Sequence, residues 1–167
     1  MRKVNVDLGI STMNSRLLLL MEKSLTSLLK ATEECKNSHF RFLIVVQEVE
    51  NEQCARRVEE MLSHVAARYD TEIILDPRKG LSRSRNLILE KFKGDFLMIC
   101  DDDIEYTKDS LREIIEIVEP SNMDFHSFML FTPEGKDYKK YKAFPFTHNM
   151  KTIARISSVE VILKSTV

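Results

Sequence analysis

Short apolar runs alternate along this chain with longer segments of helical period, and that alternation constrains the fold more than any other feature. Val4 to Ile10 reads as a strand. Leu17, Leu18, Met21, Leu25, Leu28 and Leu29 then recur at three- and four-residue spacing, which predicts a helix with these side chains inward and Asn14 or Ser15 as its cap. Phe40 to Val46 is apolar at every position but Arg41, the pattern of a strand covered on both faces. A second helix spans about Asn51 to Tyr69, with Cys54, Val58, Met61, Leu62 and Val65 inward. Thr71 to Leu75 is a third strand, and Leu81 to Lys93 a third helix with Leu81, Leu87, Ile88 and Phe92 apolar. Phe96 to Cys100 is a fourth strand. Thr107 caps a fourth helix that turns Leu111, Ile114, Ile115 and Val118 inward and ends at Pro120.

The order β-α-β-α-β-α-β-α predicts an α/β domain, a parallel sheet with helices on its faces. Right-handed crossovers carry every strand's carboxyl end to one rim. The polar turns Ser11–Arg16, Gln47–Val49, Asp76–Gly80 and Asp101–Glu105 are therefore expected to meet there. After Pro120 two more strands, Phe125 to Phe131 and Ile153 to Leu163, flank a polar, aromatic stretch that begins at Asp137.

With 167 residues and 43% hydrophobic content, one domain with a proper core is expected over residues 1–167. A formal charge of −1 excludes a global attraction to nucleic acid or anionic membrane. Cys35, Cys54 and Cys100 form no metal-ligand pair or redox motif, and an odd cysteine number suits a reducing, intracellular setting. Met1 to Asp7 lacks the apolar region of a secretory signal, and Leu17 to Met21 is far too short to be a transmembrane segment. His39, His64, His126 and His148 are scattered without ligand spacing; His126 is the one that can face the rim from its strand.

The chemistry concentrates in two segments. Asp101-Asp102-Asp103 directly follows the apolar fourth strand. Two carboxylates about 5 Å apart repel by roughly 3 kcal/mol at an effective dielectric near 20. Solvent, basic neighbours or a hard divalent cation must offset that cost, unless the triplet only solvates the strand end and helps to cap the next helix. Alternation places Asp101 and Asp103 on one side, as a candidate cation pair, and Asp102 on the other. One strand earlier lies Gly80-Leu-Ser-Arg-Ser-Arg-Asn86. Glycine before a helix lets the backbone approach an anion, the helix start supplies free N–H groups, and Arg83 and Arg85 offer forks suited to phosphate. Read alone, it is equally a capped helix with a solvated basic face. Basic groups beside acidic ones are what a metal-bound nucleotide diphosphate requires.

The block "GLSRSRNLILEKFKGDFLMICDDDIEY" resembles family 2 glycosyltransferases of the GT-A fold, in which a Gly-x-x-x-x-Arg-Asn helix leads into a strand ending in Asp-x-Asp. "VDLGISTMNSR" looks like the same family's first strand and nucleotide-binding turn, so the resemblance runs from about Val4 to Val118. It implies a Rossmann-like three-layer αβα sandwich that binds a nucleotide sugar, UDP-sugar foremost, with Mn2+ or Mg2+. Carried over by position, Thr12, Asn14 and Arg16 line the uridine and ribose pocket, and Arg85 and Asn86 buttress the pyrophosphate. Gly80 lies in the same anion-facing turn. Asp101 and Asp102 reach the ribose and sugar, and Asp103 holds the metal. Where the family closes its second strand with an acidic residue that contacts the base, this chain has Gln47-Glu48. Gln47 can bond a uracil there, or Glu48 can substitute.

The resemblance further implies a glycan or lipid-linked acceptor, polysaccharide biosynthesis, and a cytoplasmic location, peripheral to the membrane or free of it. The general base of inverting members has no convincing counterpart between Thr132 and Val167, where Glu134 and Asp137 are the acidic residues available, so the sequence reads as the donor-binding part of a longer protein. Tyr138, Tyr141, Phe144 and Phe146 either form an acceptor flap or pack a loop. Other classes fit less well. A nucleotidyltransferase needs a glycine-rich loop after the first strand, where Ser11 to Arg16 has none. Receiver domains need an acidic pair after the first strand, and haloacid-type phosphatases carry Asp-x-Asp on it. A non-catalytic nucleotide-sugar-binding module remains open.

Overall fold

The computed structural model describes residues 3–128, 132, 134–136 and 161–164. Strands β1 (Val4–Met13), β2 (Ser38–Gln47), β3 (Asp70–Asp76) and β4 (Phe96–Cys100) are all parallel, with β1 paired to both β2 and β4. Short strands β5 (Phe125–Ser127) and β6 (Val161–Lys164) complete a sheet of order β3-β2-β1-β4-β6-β5, in which β6 runs antiparallel to β4. The expected strands Phe125 to Phe131 and Ile153 to Leu163 are thus described only at Phe125–Ser127 and Val161–Lys164. The aromatic stretch with Tyr138, Tyr141, Phe144 and Phe146 lies outside the described residues, as do Asp137 and His148.

The sheet divides the core into two layers. Val6, Leu8 and Ile10 of β1, Phe42, Ile44 and Val46 of β2, and Met98 of β4 pack on one face. The helices covering it are α1 (Leu17–Leu20), α2 (Thr26–Glu33), α3 (Glu52–Ala66) and α5 (Ser110–Val118). On the other face Leu43, Val45, Leu97 and Ile99 meet Ile88 of α4 (Leu81–Lys91). Helices therefore cover both faces of a buried parallel sheet, the three-layer arrangement expected. Gly9 makes the α4 contact possible, because a Cβ there would overlap Ile88 Cγ2.

Several boundaries differ from the periodicity reading. β1 continues through Ser11, Thr12 and Met13, which pair with Val45, Val46 and Gln47 of β2. The expected polar turn is thereby shortened to a 3-10 turn, Asn14–Arg16, and no side chain caps it or α1. A π-helical turn, Met21–Leu25, separates α1 from α2. Leu18 was expected inward and is 56% exposed. Four consecutive leucines sweep most of the way round a helix, so they cannot all face one side. Leu81 is 48% exposed for a similar reason, at the first position of α4, where no preceding turn covers it. α5 starts at Ser110, not at a Thr107 cap; the Thr107 carbonyl instead accepts the Ser110 N–H at 3.1 Å.

A buried ion pair ties the lower end of the sheet together. Arg41 of β2 donates to Asp7 of β1 through Nε (3.2 Å) and Nη2 (2.7 Å), and Asp7 Oδ2 also accepts the N–H groups of Lys93 (2.8 Å) and Gly94 (3.2 Å). Asp7 thus holds the turn between α4 and β4, at the end of the strands opposite the carboxylate triplet. Among the described residues no helix is long and apolar enough to cross a membrane.

Candidate functional site

The carboxyl ends of the four parallel strands are cross-linked by side chains from the turns that follow them. At β1, Thr12 is 2% exposed and donates its hydroxyl to Asp102 Oδ2 at 2.7 Å. Arg16, one turn further on, holds the same carboxylate with a fork, Nη2 to Oδ1 at 2.6 Å and Nε to Oδ2 at 3.0 Å. The same Nη2 reaches Asp103 Oδ2 at 2.9 Å. On the α4 side, Arg85 Nη2 lies 3.3 Å from Asp101 Oδ1. The three carboxylates are therefore shared between two arginines, which offsets much of their mutual repulsion.

The sharing differs from strand alternation. Asp102 and Asp103 use one arginine, and Asp101 uses the other, because β4 ends at Cys100 and Asp102-Asp103 form a turn. Alternation holds only while the backbone stays extended. Burial, the largest influence, pushes the Asp101 carboxyl above the ordinary carboxylate range; Arg85 opposes this, and Asp103 and Asp102 add to it. Arg16 is held more firmly charged by its bonds to Asp103 and Asp102, against the cost of its partial burial.

The turn itself is pinned from the π-helical segment and the start of α2. Ser24 Oγ accepts the Ile104 N–H at 3.0 Å and lies 2.8 Å from the Asp101 carbonyl, while Ser27 Oγ accepts the Tyr106 N–H at 3.0 Å. Sequence reasoning missed both serines. Their signal was a small polar residue at an inward position, Ser24 being 1% exposed amid Leu20, Leu25 and Leu28.

Asp76, at the end of β3, was likewise read only as part of a turn. It is 3% exposed, accepts Arg83 Nε at 2.5 Å, and takes the Arg78 N–H at 3.1 Å. It carried the same signal as Asp101, a carboxylate closing an apolar strand before a basic segment. Next to it Gln47 Oε1 accepts the Gly80 N–H at 2.6 Å. Gly80 has φ +152°, a conformation that L side chains rarely adopt. Its own N–H is thus occupied by Gln47, and the Gln47 carbonyl oxygen by Gly80. Glu48 has φ 60° and pairs with Lys79 at 3.6 Å.

The structure brings Thr12, Arg16, Arg85 and the three aspartates together, and joins Gln47 to Gly80 at the adjoining end of β2. Asn86 is exposed on α4 and makes no side-chain hydrogen bond with a described residue. His126 is on β5, with β6 between it and β4. Asn14 Oδ1, Ser11 Oγ and Arg85 Nε are buried and without hydrogen-bond partners among the described residues. Unpaired buried polar atoms are costly, and three of them at one rim are a reason to look for a ligand there.

Among the described residues no three His, Cys, Asp or Glu side chains are grouped as a metal cage. The donor set nonetheless suits a hard cation that takes one or two carboxylates and completes its shell with substrate phosphates and water. Asp103 is the open member, its side chain 54% exposed, and no described residue bonds its Oδ1.

The family model for glycosyl transferase family 2 matches residues 8–161, and the chain belongs to that family. It is similar in fold to a mannosyltransferase from Pyrobaculum calidifontis solved with GDP-Man and Mn2+, at 14% identity and TM-score 0.62, over 80% of this chain and 37% of that one. TarS 1-349 from S. aureus, solved in complex with UDP, is similar at 21% identity and TM-score 0.53, over 75% of this chain and 34% of the other. The chain therefore spans little more than a third of either structure's length. No curated protein matches the sequence.

Proposed function

We propose that this chain is a donor-binding domain of a metal-dependent glycosyltransferase, which moves a hexose from a nucleotide diphosphate, UDP-sugar foremost, to a glycan or lipid-linked acceptor. One observation carries the reading. Asp101 and Asp103 stand beside the forks of Arg16 and Arg85 at a rim where Asn14 Oδ1 is buried without a partner among the described residues. That arrangement suits a ligand carrying anionic and hydrogen-bonding groups together with its own cation. Asp103, with Asp101 beside it, would hold Mn2+ or Mg2+. Bound there, the ion would act as a Lewis acid on the diphosphate leaving group.

The remaining roles are assigned to this chain's own groups. Asn14 and Ser11 meet the nucleoside, and Thr12 with Arg16 orients Asp102 toward the ribose and sugar. Arg85 faces the diphosphate from α4, with Asn86 at its edge. Gln47 can offer a base its N–H2, while its side-chain oxygen already accepts the Gly80 N–H. Three free cysteines fit a cytoplasmic setting.

Calorimetric titration with UDP tests the reading. Micromolar-range binding that appears only with Mn2+ or Mg2+, and that is lost in Asp103→Ala, is expected. Equal affinity with and without metal would overturn it, as would no binding under either condition.

A further inference from the structure

Arg16 is bonded unequally to its two carboxylates. Toward Asp102 it forms a fork of 2.6 and 3.0 Å, and that carboxylate is only 11% exposed in its side chain and further fixed by Thr12. Toward Asp103 it makes one contact of 2.9 Å, and Asp103 is 54% exposed. A forked bond to a buried carboxylate is the stronger of the two, and a single contact to an exposed one the weaker. A cation arriving at Asp103 would therefore break the weaker contact and leave the fork intact.

We propose that Arg16 is a resident counter-ion that competes with the divalent metal for Asp103 and couples metal loading to binding of the donor. The inference rests on the donor reading given above. Before loading, the guanidinium neutralises the carboxylate that the metal needs, so metal alone binds weakly. Loading releases Asp103 Oδ2 from Nη2, and the freed N–H of Nη2 then stands beside the new cation, available to an anionic oxygen of the diphosphate. Metal and nucleotide each remove an obstacle to the other, which is a positive coupling between two ligands. Arg16 is a positioning residue in this scheme, and it stays on Asp102 throughout.

The test measures Mn2+ alone, by the loss of its free-ion electron paramagnetic resonance signal, with no nucleotide present. Arg16→Gln removes the charge while keeping an N–H for Asp102. It is expected to bind Mn2+ about three- to tenfold more tightly than wild type, and Arg16→Gln/Asp103→Asn is expected to lose that gain. The improvement that Mn2+ brings to UDP affinity should shrink in Arg16→Gln. Arg16→Ala is read by the same criterion should the glutamine variant not fold. Unchanged or weaker Mn2+ binding in the variant, while wild type still needs Mn2+ to bind UDP, overturns the inference and leaves the donor reading standing. No Mn2+ binding by wild type and variant alike, with or without UDP, overturns both.

Discussion

Thr12 and Asp102 are 90 residues apart in the chain and share a 2.7 Å hydrogen bond in the buried rim of the sheet. One lies at the end of β1 and the other just beyond β4, so this bond fixes how the two central strands present their turns. Hydrogen bonds to charged groups contribute about 1.5–3 kcal/mol. Thr12→Val is therefore expected to lower stability by about 1–3 kcal/mol in urea unfolding, while Thr12→Ser loses much less. Equal midpoints for Thr12→Val and wild type would show that Arg16 alone holds Asp102.

Gly9 sets the distance between β1 and α4. Gly9→Ala places a methyl group against Ile88, a β-branched residue with little freedom in a helix. Overpacking of this kind costs about 1–3 kcal/mol. Ile88→Ala opens space at the same point, so the double variant should be more stable than the two single losses added together. A double-mutant cycle measures this, and simple additivity would mean that the two groups do not meet.

The bond between Gln47 and Gly80 holds the turn ahead of α4. Gln47→Leu leaves the Gly80 N–H without that acceptor and is expected to destabilise by about 1–3 kcal/mol. Gln47→Glu keeps an acceptor and should retain most of the stability. If the leucine variant instead matches wild type in thermal melts while UDP affinity drops, Gln47 serves the ligand and not the turn.

At the opposite end of the strands, the Asp7–Arg41 pair is buried on both sides, with side-chain exposures of 4% and 11%. Removing one partner strands the other charge, at a cost of about 3–5 kcal/mol. Arg41→Met should therefore unfold at markedly lower denaturant concentration. Asp7→Asn/Arg41→Met should recover part of the loss, and a double variant worse than the single would contradict this account.

Burial pushes the Cys35 thiol above its ordinary pKa. The folded protein thus holds that proton more tightly than the unfolded chain does. The resulting stability is fully present below the unfolded pKa and is lost as pH rises through the folded one. Wild type should accordingly lose stability relative to Cys35→Ala in alkaline solution, above the ordinary thiol pKa. Parallel pH curves for the two proteins would refute the assignment. Native Cys35 should also resist alkylation that proceeds readily in urea.

The layered sheet was legible in the sequence, because Phe42 to Val46 and Phe96 to Cys100 are apolar without interruption and the segments between them carry helical period. So was the rim, since right-handed crossovers leave the polar ends of parallel strands no other place to meet. The tertiary structure alone decided the pairing within that rim. Alternation put Asp103 with Asp101, yet the strand stops at Cys100 and the turn delivers Asp103 to Arg16. Gln47, a candidate reader of the base, is bonded to Gly80, and Ser24, which no motif singled out, is bonded to the carboxylate turn. Periodicity records which face of an element is buried. Which polar groups find one another depends on where separate elements end in space, a long-range property that no local spacing contains.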